Sequence, residues 1–423
     1  MRIAIFLIIV GVLGGDRASA QPTYSREVSR IVAEKCQICH RPNDIAPFSL
    51  LSYEDAQTWA EDIKRVVSER IMPPWKPVEG HGEFRDSYAL SEEQRQTLIQ
   101  WADAGAPLGD PAELPEVTAP TGEWQLGDPD MVVTMPESYT PPRGKDDYRC
   151  FVVSNPFDEP MYVKTADVIP GNRRIVHHVI LYLDTRGQGA KLDEAEPGPG
   201  YTCFGGPGVD LDINAAVAGW APGSAPKRLP DGIAVQIPKG AQVIMQVHYY
   251  ARGVTAEDQT RVGLYFAKER IERRLFYVPV LNTRFTIPPG NAIYPVTANF
   301  PIPPLLDARA IQIFPHMHLL GRQIIVEYTE PRQTTPKPLI RIDDWDFNWQ
   351  GFYNFKDPVP LPALSNIRLR CTFDNSEGNP RNPSNPLKPV GWGEGTEDEM
   401  CVAFLGVVFE RENLLPFSTI QQR

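Results

Sequence analysis

The sequence has little positive charge and, beyond its first twenty residues, no long apolar run. Its 53 Asp and Glu outnumber its 42 Lys and Arg, which gives a formal net charge of −11. This acidic balance argues against nucleic acid or an anionic membrane surface as the main partner. Charges and prolines interrupt every later apolar stretch, so we expect no membrane span once the N-terminal segment is removed.

The first twenty residues have the pattern of a secretion signal. Arg2 supplies a positive start, residues 3–13 are apolar, and residues 18–20 (Ala-Ser-Ala) form a small-residue cleavage site. The apolar stretch is short for a membrane span. We therefore predict a periplasmic protein from which residues 1–20 are cleaved, with an uncleaved anchor as the alternative.

Cysteine is also scarce, and two of the six cysteines belong to one motif, Cys36-Gln37-Ile38-Cys39-His40. Cys-x-x-Cys-His provides two thiols for bonds to the haem vinyl groups and a histidine that can ligate the iron. The motif predicts one covalent haem c, with a disulfide or a zinc pair as the alternative. In an exported chain the other four cysteines allow three disulfide pairings, and their spacing does not choose between them.

The second axial ligand of that haem is predicted to be Met72. A thioether ligand raises the reduction potential and suits electron transfer, and the prolines that follow Met72 favour an extended loop. Met72 could instead be an ordinary core residue beside a turn. His81 is the competing ligand, or a surface histidine.

Three regions of the chain differ in periodicity. Residues 21–105 are polar and helical in pattern, and we predict that they form an all-α c-type cytochrome domain. Residues 106–126 form a Pro-rich linker. After the linker, short strands with period two alternate with turn signals, which favours an all-β sandwich or barrel in each of two halves, residues 127–270 and 271–423.

Five of the seven histidines follow the linker. His316 and His318 are spaced i, i+2 on a predicted strand, so both rings project from one face with Cβ atoms about 7 Å apart. His177 and His178 are neighbours and can reach one ion only at a bulge or strand end, or through different ring nitrogens. His248 could complete a three-nitrogen set. Such ligands favour copper, zinc, iron or nickel.

Four stretches after the linker form an ordered set: Val176-His177-His178-Val179, Gln246-Val247-His248-Tyr249, His316-Met317-His318 with Gly321-Arg322, and Asp398-Glu399-Met400-Cys401. Together they resemble the copper type II, ascorbate-dependent monooxygenases, the family that includes peptidylglycine α-hydroxylating and dopamine β-monooxygenase, in a bacterial branch with an N-terminal cytochrome. The resemblance runs from Gly127 to the C-terminus. It implies two jelly-roll-like sandwiches with one copper ion on each.

The resemblance also implies the ligands of each copper ion. The ion that transfers electrons would be held by His177, His178 and His248. The ion that binds oxygen, at the catalytic site, would be held by His316, His318 and Met400. A soft thioether beside two imidazoles favours Cu(I), the state that meets dioxygen. The family's disulfide pattern implies Cys371–Cys401, which leaves Cys150–Cys203 as the second pair.

At the substrate positions the chain departs from the peptide-amidating member of the family. Phe314 stands where that enzyme has an arginine, and Val402 and Phe404 stand where it has an asparagine and a tyrosine. A free peptide carboxylate would therefore lack its usual partners. We expect a small, non-peptide substrate that is apolar or aromatic.

These features predict an exported haem–copper monooxygenase that hydroxylates a C–H bond of a small molecule with O2. Haem c would pass electrons to the two copper ions, and an external donor, either an ascorbate-like reductant or a periplasmic redox protein, would supply them. The alternative is a periplasmic electron-transfer protein with haem c and copper but without oxygenase activity.

Overall fold

The computed structural model describes residues 21–42, 44–85, 87–116, 123–212, 215–250 and 254–412. The predicted signal segment, residues 1–20, lies outside the described residues. Within the described ranges, no helix is both long enough and apolar enough to cross a membrane. The chain divides into two compact units, which we describe separately.

The first unit comprises Met1–Pro42, Phe48–Pro73 and Ala89–Val117. Its described part contains two single helical turns, Tyr24–Val28 and Pro111–Glu113, and four short α-helices: α1 (Ser29–Lys35), α2 (Tyr53–Thr58), α3 (Ala60–Ser68) and α4 (Glu92–Asp103). Helix α4 begins at a capping box, because the Ser91 hydroxyl accepts the Gln94 amide and the Gln94 side chain accepts the Ser91 amide. Its apolar face buries Leu98 and Trp101 completely.

The second unit comprises Asn43–Pro47, Pro74–Tyr88 and Thr118–Arg423. Its described part begins with ten strands and one helix: β1 (Met131–Thr134), β2 (Asp146–Val152), β3 (Met161–Ile169), β4 (Val176–Asp184), α5 (Gln188–Ala195), β5 (Tyr201–Thr202), β6 (Ala216–Trp220), β7 (Ile233–Ile237), β8 (Gln242–Tyr250), β9 (Arg261–Phe266) and β10 (Arg273–Arg274). They form two five-stranded sheets, in the orders β1-β9-β3-β7-β10 and β5-β2-β8-β4-β6. The two sheets enclose one apolar core, and we call this part the first sandwich.

Ten further strands form the second sandwich: β11 (Phe276–Leu281), β12 (Thr286–Ile287), β13 (Tyr294–Pro301), β14 (Ala308–His316), β15 (Gly321–Thr329), β16 (Lys337–Ile342), β17 (Tyr353–Leu361), β18 (Asn366–Phe373), β19 (Val390–Gly391) and β20 (Val402–Phe409). Two four-stranded sheets, β11-β20-β14-β17 and β13-β18-β15-β16, enclose a second core, while β12 and β19 form a short ribbon.

The prediction of an all-α cytochrome domain over residues 21–105 is wrong. The described chain is mostly β, with twenty strands against five α-helices, and its N-terminal part has long irregular stretches between short helices. Residues 74–88 group with the second unit, where Pro77 bridges Ile342 and Phe84 bridges Phe355. The physical reason lies in this segment's prolines, which cannot donate a backbone hydrogen bond and disfavour helix at the residue before them.

Two disulfides fasten the second unit. Cys150 on β2 is joined to Cys203 with Cα atoms 5.8 Å apart, and Cys371 on β18 is joined to Cys401 with Cα atoms 5.9 Å apart. These are the two pairs that the resemblance implies. Disulfides form and persist in oxidising compartments, which agrees with an exported chain.

Period-two alternation sorts the strand residues into core and cavity. On β4, Val179, Leu181 and Leu183 enter the first core, while His178, Ile180 and Tyr182 point to the opposite face and line a cavity. On β14, Ile313 enters the second core, while Phe314 and His316 line the same cavity. The outer faces of two sheets, one from each sandwich, therefore form its walls.

Candidate metal centre

A cavity of about 210 Å³ lies between the two sandwiches. Its lining includes all six copper ligands suggested by the sequence, three from each sandwich: His177, His178, His248, His316, His318 and Met400. We call the first three residues the first histidine set and the last three the second ligand set. The structure thus brings both sets to one enclosed space.

In the first histidine set, the three Nδ1 atoms converge. Those of His177 and His178 are 3.3 Å apart, those of His177 and His248 are 3.2 Å apart, and those of His178 and His248 are 3.4 Å apart. Nitrogen ligands that each lie about 2 Å from one ion in tetrahedral geometry have this separation. Among the described residues, this is the one group of three or more His, Cys, Asp or Glu arranged to hold a metal ion.

A bulge lets two neighbouring histidines reach the same point. Strand β4 pairs with β8 so that Val176 faces Tyr249 and His178 faces His248, and the register shifts between Val176 and His178. His177 is the extra residue of this bulge. Bulges redirect side chains that a regular strand would send to opposite faces, which is the condition the sequence required.

The carboxylate of Asp146 orients His248. The Nε2–H of His248 donates to Asp146 Oδ1 at 3.2 Å, so its Nδ1 keeps the lone pair that a metal needs. The same carboxylate accepts the Thr396 amide at 2.9 Å and the Thr396 hydroxyl at 3.0 Å. Burial raises the pKa of Asp146, but these hydrogen bonds outweigh burial and hold the pKa below its usual value. Asp146 therefore remains a carboxylate.

Tyr148 forms a second link beside Asp146. Its ring stacks on His248, with the centroids 4.0 Å apart and the planes 8° from parallel, and its hydroxyl donates to the backbone oxygen of Glu394. Glu394 and Thr396 belong to the loop of the second sandwich that leads to Met400. Strand β2 thus connects the first histidine set to the loop that carries Met400.

The second ligand set combines two imidazoles and a thioether at the opposite wall. His316 ends β14, His318 lies in the following turn, and Met400 precedes β20. Nδ1 of His316 contacts Gln350 Oε1, and Nδ1 of His318 lies 3.0 Å from the backbone oxygen of Asp398. Because both oxygens are acceptors, each Nδ1 carries the proton and each Nε2 is left as the ligand atom.

All five histidines are neutral in the folded protein. Burial lowers the pKa of His316 to about 4 and that of His318 to about 3. Burial also lowers the pKa values of the first histidine set, and nearby imidazoles lower those of His177 and His178 further. Only a neutral imidazole can ligate a metal, so this environment favours metal binding over protonation.

Glu399 fixes the geometry of the second ligand set through hydrogen bonds from backbone amides. Its carboxylate is fully buried and accepts the backbone amides of His318 at 2.9 Å, Leu320 at 2.6 Å and Met400 at 3.2 Å. Burial raises the pKa of Glu399 to about 8, while these amides act in the opposite direction. The carboxylate thereby joins the His-x-His turn to the segment that carries Met400.

Aromatic side chains form the remainder of the second sandwich's wall. Phe314 stacks on Phe352 with centroids 4.7 Å apart and lies 6.3 Å from Phe404, and all three line the cavity. Val402, which the sequence also suggested for the substrate pocket, is fully buried and is not among the lining residues. From the first sandwich, β6 lines the cavity with the small residues Ala216, Ala218 and Gly219.

The Cys-x-x-Cys-His motif lies in the first unit, in the turns that follow α1. Neither disulfide involves Cys36 or Cys39. Nδ1 of His40 lies 3.3 Å from the backbone oxygen of Phe48, and the two rings lie 4.6 Å apart. A histidine whose Nδ1–H is held by a carbonyl presents Nε2 to a metal, so His40 fits the role of an iron ligand. Burial lowers its pKa, which favours the neutral ring.

The two candidates for the second axial ligand belong to different units. Met72 belongs to the first unit, where its amide donates to the Val66 oxygen at 3.2 Å. His81 belongs to the second unit, where its amide donates to Val78 and its Nδ1 lies 3.3 Å from the Glu79 oxygen. The choice between them stays a prediction in favour of Met72.

Sequence reasoning missed four residues that support the ligands: Asp146, Gln350, Thr396 and Glu399. Each makes its main hydrogen bonds with residues far away in the chain. An exception is the hydrogen bond that Glu399 accepts from the adjacent Met400 amide. Glu399 alone carried a signal, because it directly precedes the proposed ligand Met400 and an acid calls for partners when it is buried.

Sequence comparisons with known proteins point to one family. Residues 278–414 match the sequence model described as copper type II ascorbate-dependent monooxygenase, C-terminal domain. DBH-like monooxygenase protein 1 of Homo sapiens is 24% identical over 279 residues, which cover 61% of this chain and 43% of that protein. Its Mus musculus counterpart is 23% identical over the same coverage. The chain thus spans less than half the length of these curated relatives.

Among solved structures, the cowpea mosaic virus top component covers 66% of this chain and 88% of its own, with 7% identity and a TM-score of 0.27. So low a score carries no argument. The sequence matches support a relationship to the copper type II ascorbate-dependent monooxygenase family.

We predict that Asp146→Asn weakens copper binding by about 10- to 100-fold, because the neutral amide no longer holds His248 in its binding tautomer. Competition with a copper chelator measures the affinity. Asp147→Asn is the matched control, since it removes a neighbouring carboxylate that accepts its hydrogen bond from Tyr139 and acts on His248 through its charge alone. Equal affinities of the two variants would show that Asp146 does not orient the ligand.

The stability of the metal-free protein should depend on pH through its histidines. A free histidine has a pKa of about 6.5, well above the folded values of His316 and His318. Between those limits the unfolded chain binds more protons than the folded one, so the free energy of unfolding must fall as the pH drops below about 6.5. Urea midpoints measured from pH 7 to pH 4 should show this decline. The double variant His316→Gln, His318→Gln should show a shallower one, and an unchanged slope would contradict the assignment.

Proposed function

We propose that this chain is a periplasmic haem–copper monooxygenase that hydroxylates a C–H bond of a small, non-peptide, apolar or aromatic substrate with O2. In the overall reaction the substrate, O2, two electrons and two protons give an alcohol and water. One observation carries the proposal: six residues of metal-ligand type from two sandwiches border a single cavity whose remaining walls are largely apolar. Bound copper would supply one-electron redox chemistry and oxygen activation there.

The residues of the chain divide the work of the site. The first histidine set would hold the ion that receives and passes on electrons, with Asp146 fixing the tautomer of His248. The second ligand set would hold the ion nearest the reacting bond, with Glu399 and Gln350 fixing its donors. Phe314 and Phe404 would bind the substrate beside the second set and exclude water from it.

The charge of the cavity supports a substrate that is not a peptide. Among the described residues that line it there is no lysine or arginine, and the one carboxylic acid is Glu394. A substrate carboxylate would therefore lose its hydration without gaining an ionic partner. Neutral aromatic molecules incur no such penalty and can stack on Phe314 and Phe352.

Electrons would enter through haem c. Cys36 and Cys39 would form the thioether bonds, His40 would ligate the iron, and Met72 is the proposed second axial ligand. Haem c is a one-electron carrier, which suits an enzyme that consumes two electrons singly. An external donor, either an ascorbate-like reductant or a periplasmic redox protein, would reduce it. This relay requires no all-α cytochrome fold around the motif.

The first prediction from this proposal separates an enzyme from an electron carrier. Purified protein should contain two copper ions and one iron ion per chain, and Met400→Ala should abolish substrate-dependent oxygen consumption while the first histidine set still binds copper. Isotopic oxygen supplied with a panel of aromatic substrates measures incorporation. Met131→Ala, on β1 of the first sandwich, is the control and should retain wild-type turnover. A carrier would show a shifted potential in Met400→Ala and no incorporation in any variant, and a zinc-only protein would exclude both functions.

The second prediction concerns the electron route. When fully reduced protein is mixed with O2 and substrate in a stopped-flow instrument, the haem should be oxidised at the rate of product formation. His40→Ala should remove this phase and slow multiple turnover, but it should leave copper content unchanged. Product that forms while the haem stays reduced would contradict the relay.

A further inference from the structure

The loop between β16 and β17, residues 343–352, reaches into the space between the two ligand sets. Gln350 Oε1 contacts Nδ1 of His316, and Trp345 Nε1 donates to the backbone oxygen of His318 at 3.1 Å. Phe347, at the middle of the loop, contacts histidines of both sets. Phe347 has no metal-ligating atom, so its place between the two sets calls for a different role.

The ring of Phe347 has one histidine on its face and another at its edge. It stacks on His177 with centroids 4.6 Å apart and planes 16° from parallel, and it meets His318 at 5.7 Å and 84°. Only 5% of Phe347 is exposed. His177 belongs to the first histidine set and His318 to the second ligand set, so the ring contacts one histidine of each set.

The loop holds this ring firmly. Gln350 Nε2 donates to the backbone oxygen of Phe347 at 2.8 Å, so the residue that orients His316 also fixes the backbone of Phe347. Trp345 is 2% exposed and packs in the second core. On the side of the first sandwich, the Ser224 hydroxyl donates to the Gln350 oxygen at 3.4 Å. The ring therefore cannot swing out of the gap without disturbing contacts to both sandwiches.

From this arrangement we infer that Phe347 is a spacer that keeps the two metal sites separate. Five neutral imidazoles and one thioether border one cavity, and copper accepts nitrogen ligands from any direction that gives a favourable geometry. Without a rigid body in the gap, one ion could draw donors from both sets. A phenyl ring supplies no donor and fills the gap, so each set binds its own ion. Phe347 is thus a positioning residue, and the inference rests on the two metal sites of the proposed function.

The test uses the full chain and Cu(II) alone, so it requires no substrate. Phe347→Ala removes the spacer, Phe347→Val removes part of it, and Phe347→Leu retains most of its bulk. Phe352→Ala is the matched control for copper binding, because Phe352 lies at the end of the same loop and contacts Phe314 and Tyr277 but no histidine. Copper is counted by elemental analysis, and uncoupled copper is counted by integrating the electron paramagnetic resonance signal.

In the wild type, Phe347→Leu and Phe352→Ala, we expect about two copper ions per chain, both contributing to the signal. In Phe347→Ala the copper content should fall to about one, or the signal should fall to less than about half at unchanged content because the ions approach and couple. Phe347→Val should lie between these limits, and it carries the test if the alanine variant does not fold, as judged by circular dichroism.

Two results would overturn the inference. One is a folded Phe347→Ala variant whose copper content and electron paramagnetic resonance signal equal those of the wild type. If the alanine variant does not fold, Phe347→Val is judged by the same two measurements. The other is a wild type that binds a single ion shared by both sets. A third result separates this inference from the proposed function. If the wild type binds two separate ions and Phe347→Ala does not, but the wild type incorporates no oxygen into any substrate, the proposed function is wrong and the role of Phe347 as a spacer is supported.

Discussion

The carboxylate of Asp146 joins the two halves of the metal centre. Asp146 accepts one hydrogen bond from His248 in the first sandwich and two from Thr396 in the second. It thereby fixes the tautomer of a ligand and the position of the loop that leads to Met400. Because the carboxylate is half-buried and each of its oxygens is used, removing its charge would leave both sides without their shared partner.

The rest of the site follows from placing basic groups where water is scarce. Desolvation makes the charged imidazole unfavourable, so the histidines present lone pairs and not protons. Few side chains are needed for this environment. Small residues on β6 leave room for the aromatic residues of the opposite wall. A Cβ added at Gly219 would lie 3.3 Å from the ring of Phe352. The packing of these two walls therefore determines both the pKa of the ligand histidines and the shape of the cavity.

Whether a feature of the site could be predicted from the sequence depended on how far apart in the chain the contacting residues lie. His316 and His318 were recognisable from their i, i+2 spacing on a predicted strand, although β14 ends at His316 and His318 lies in the turn that follows. The bulge at His177 could be stated as a requirement but not located. Asp146 could not be found, because its partner Thr396 lies 250 residues away in the chain and no local pattern marks it. The N-terminal helices were recognised from their polar, helical pattern, but the segment with Pro74 and Pro77 was wrongly assigned to them, since its aromatic residues pack on a core that is assembled from distant strands.

The disulfide between Cys371 and Cys401 bears on the order in which the protein is assembled. Cys401 is the residue directly after Met400, so the bond to β18 ties down the thioether ligand's own backbone. While the two thiols are reduced, this restraint on Met400 is missing and hydrogen bonds such as those of Glu399 and Thr396 hold the segment. Assembly of the second ligand set is thereby linked to the oxidising power of the compartment in which the chain folds. Copper that reached the chain before that oxidation would meet an incomplete set of ligands.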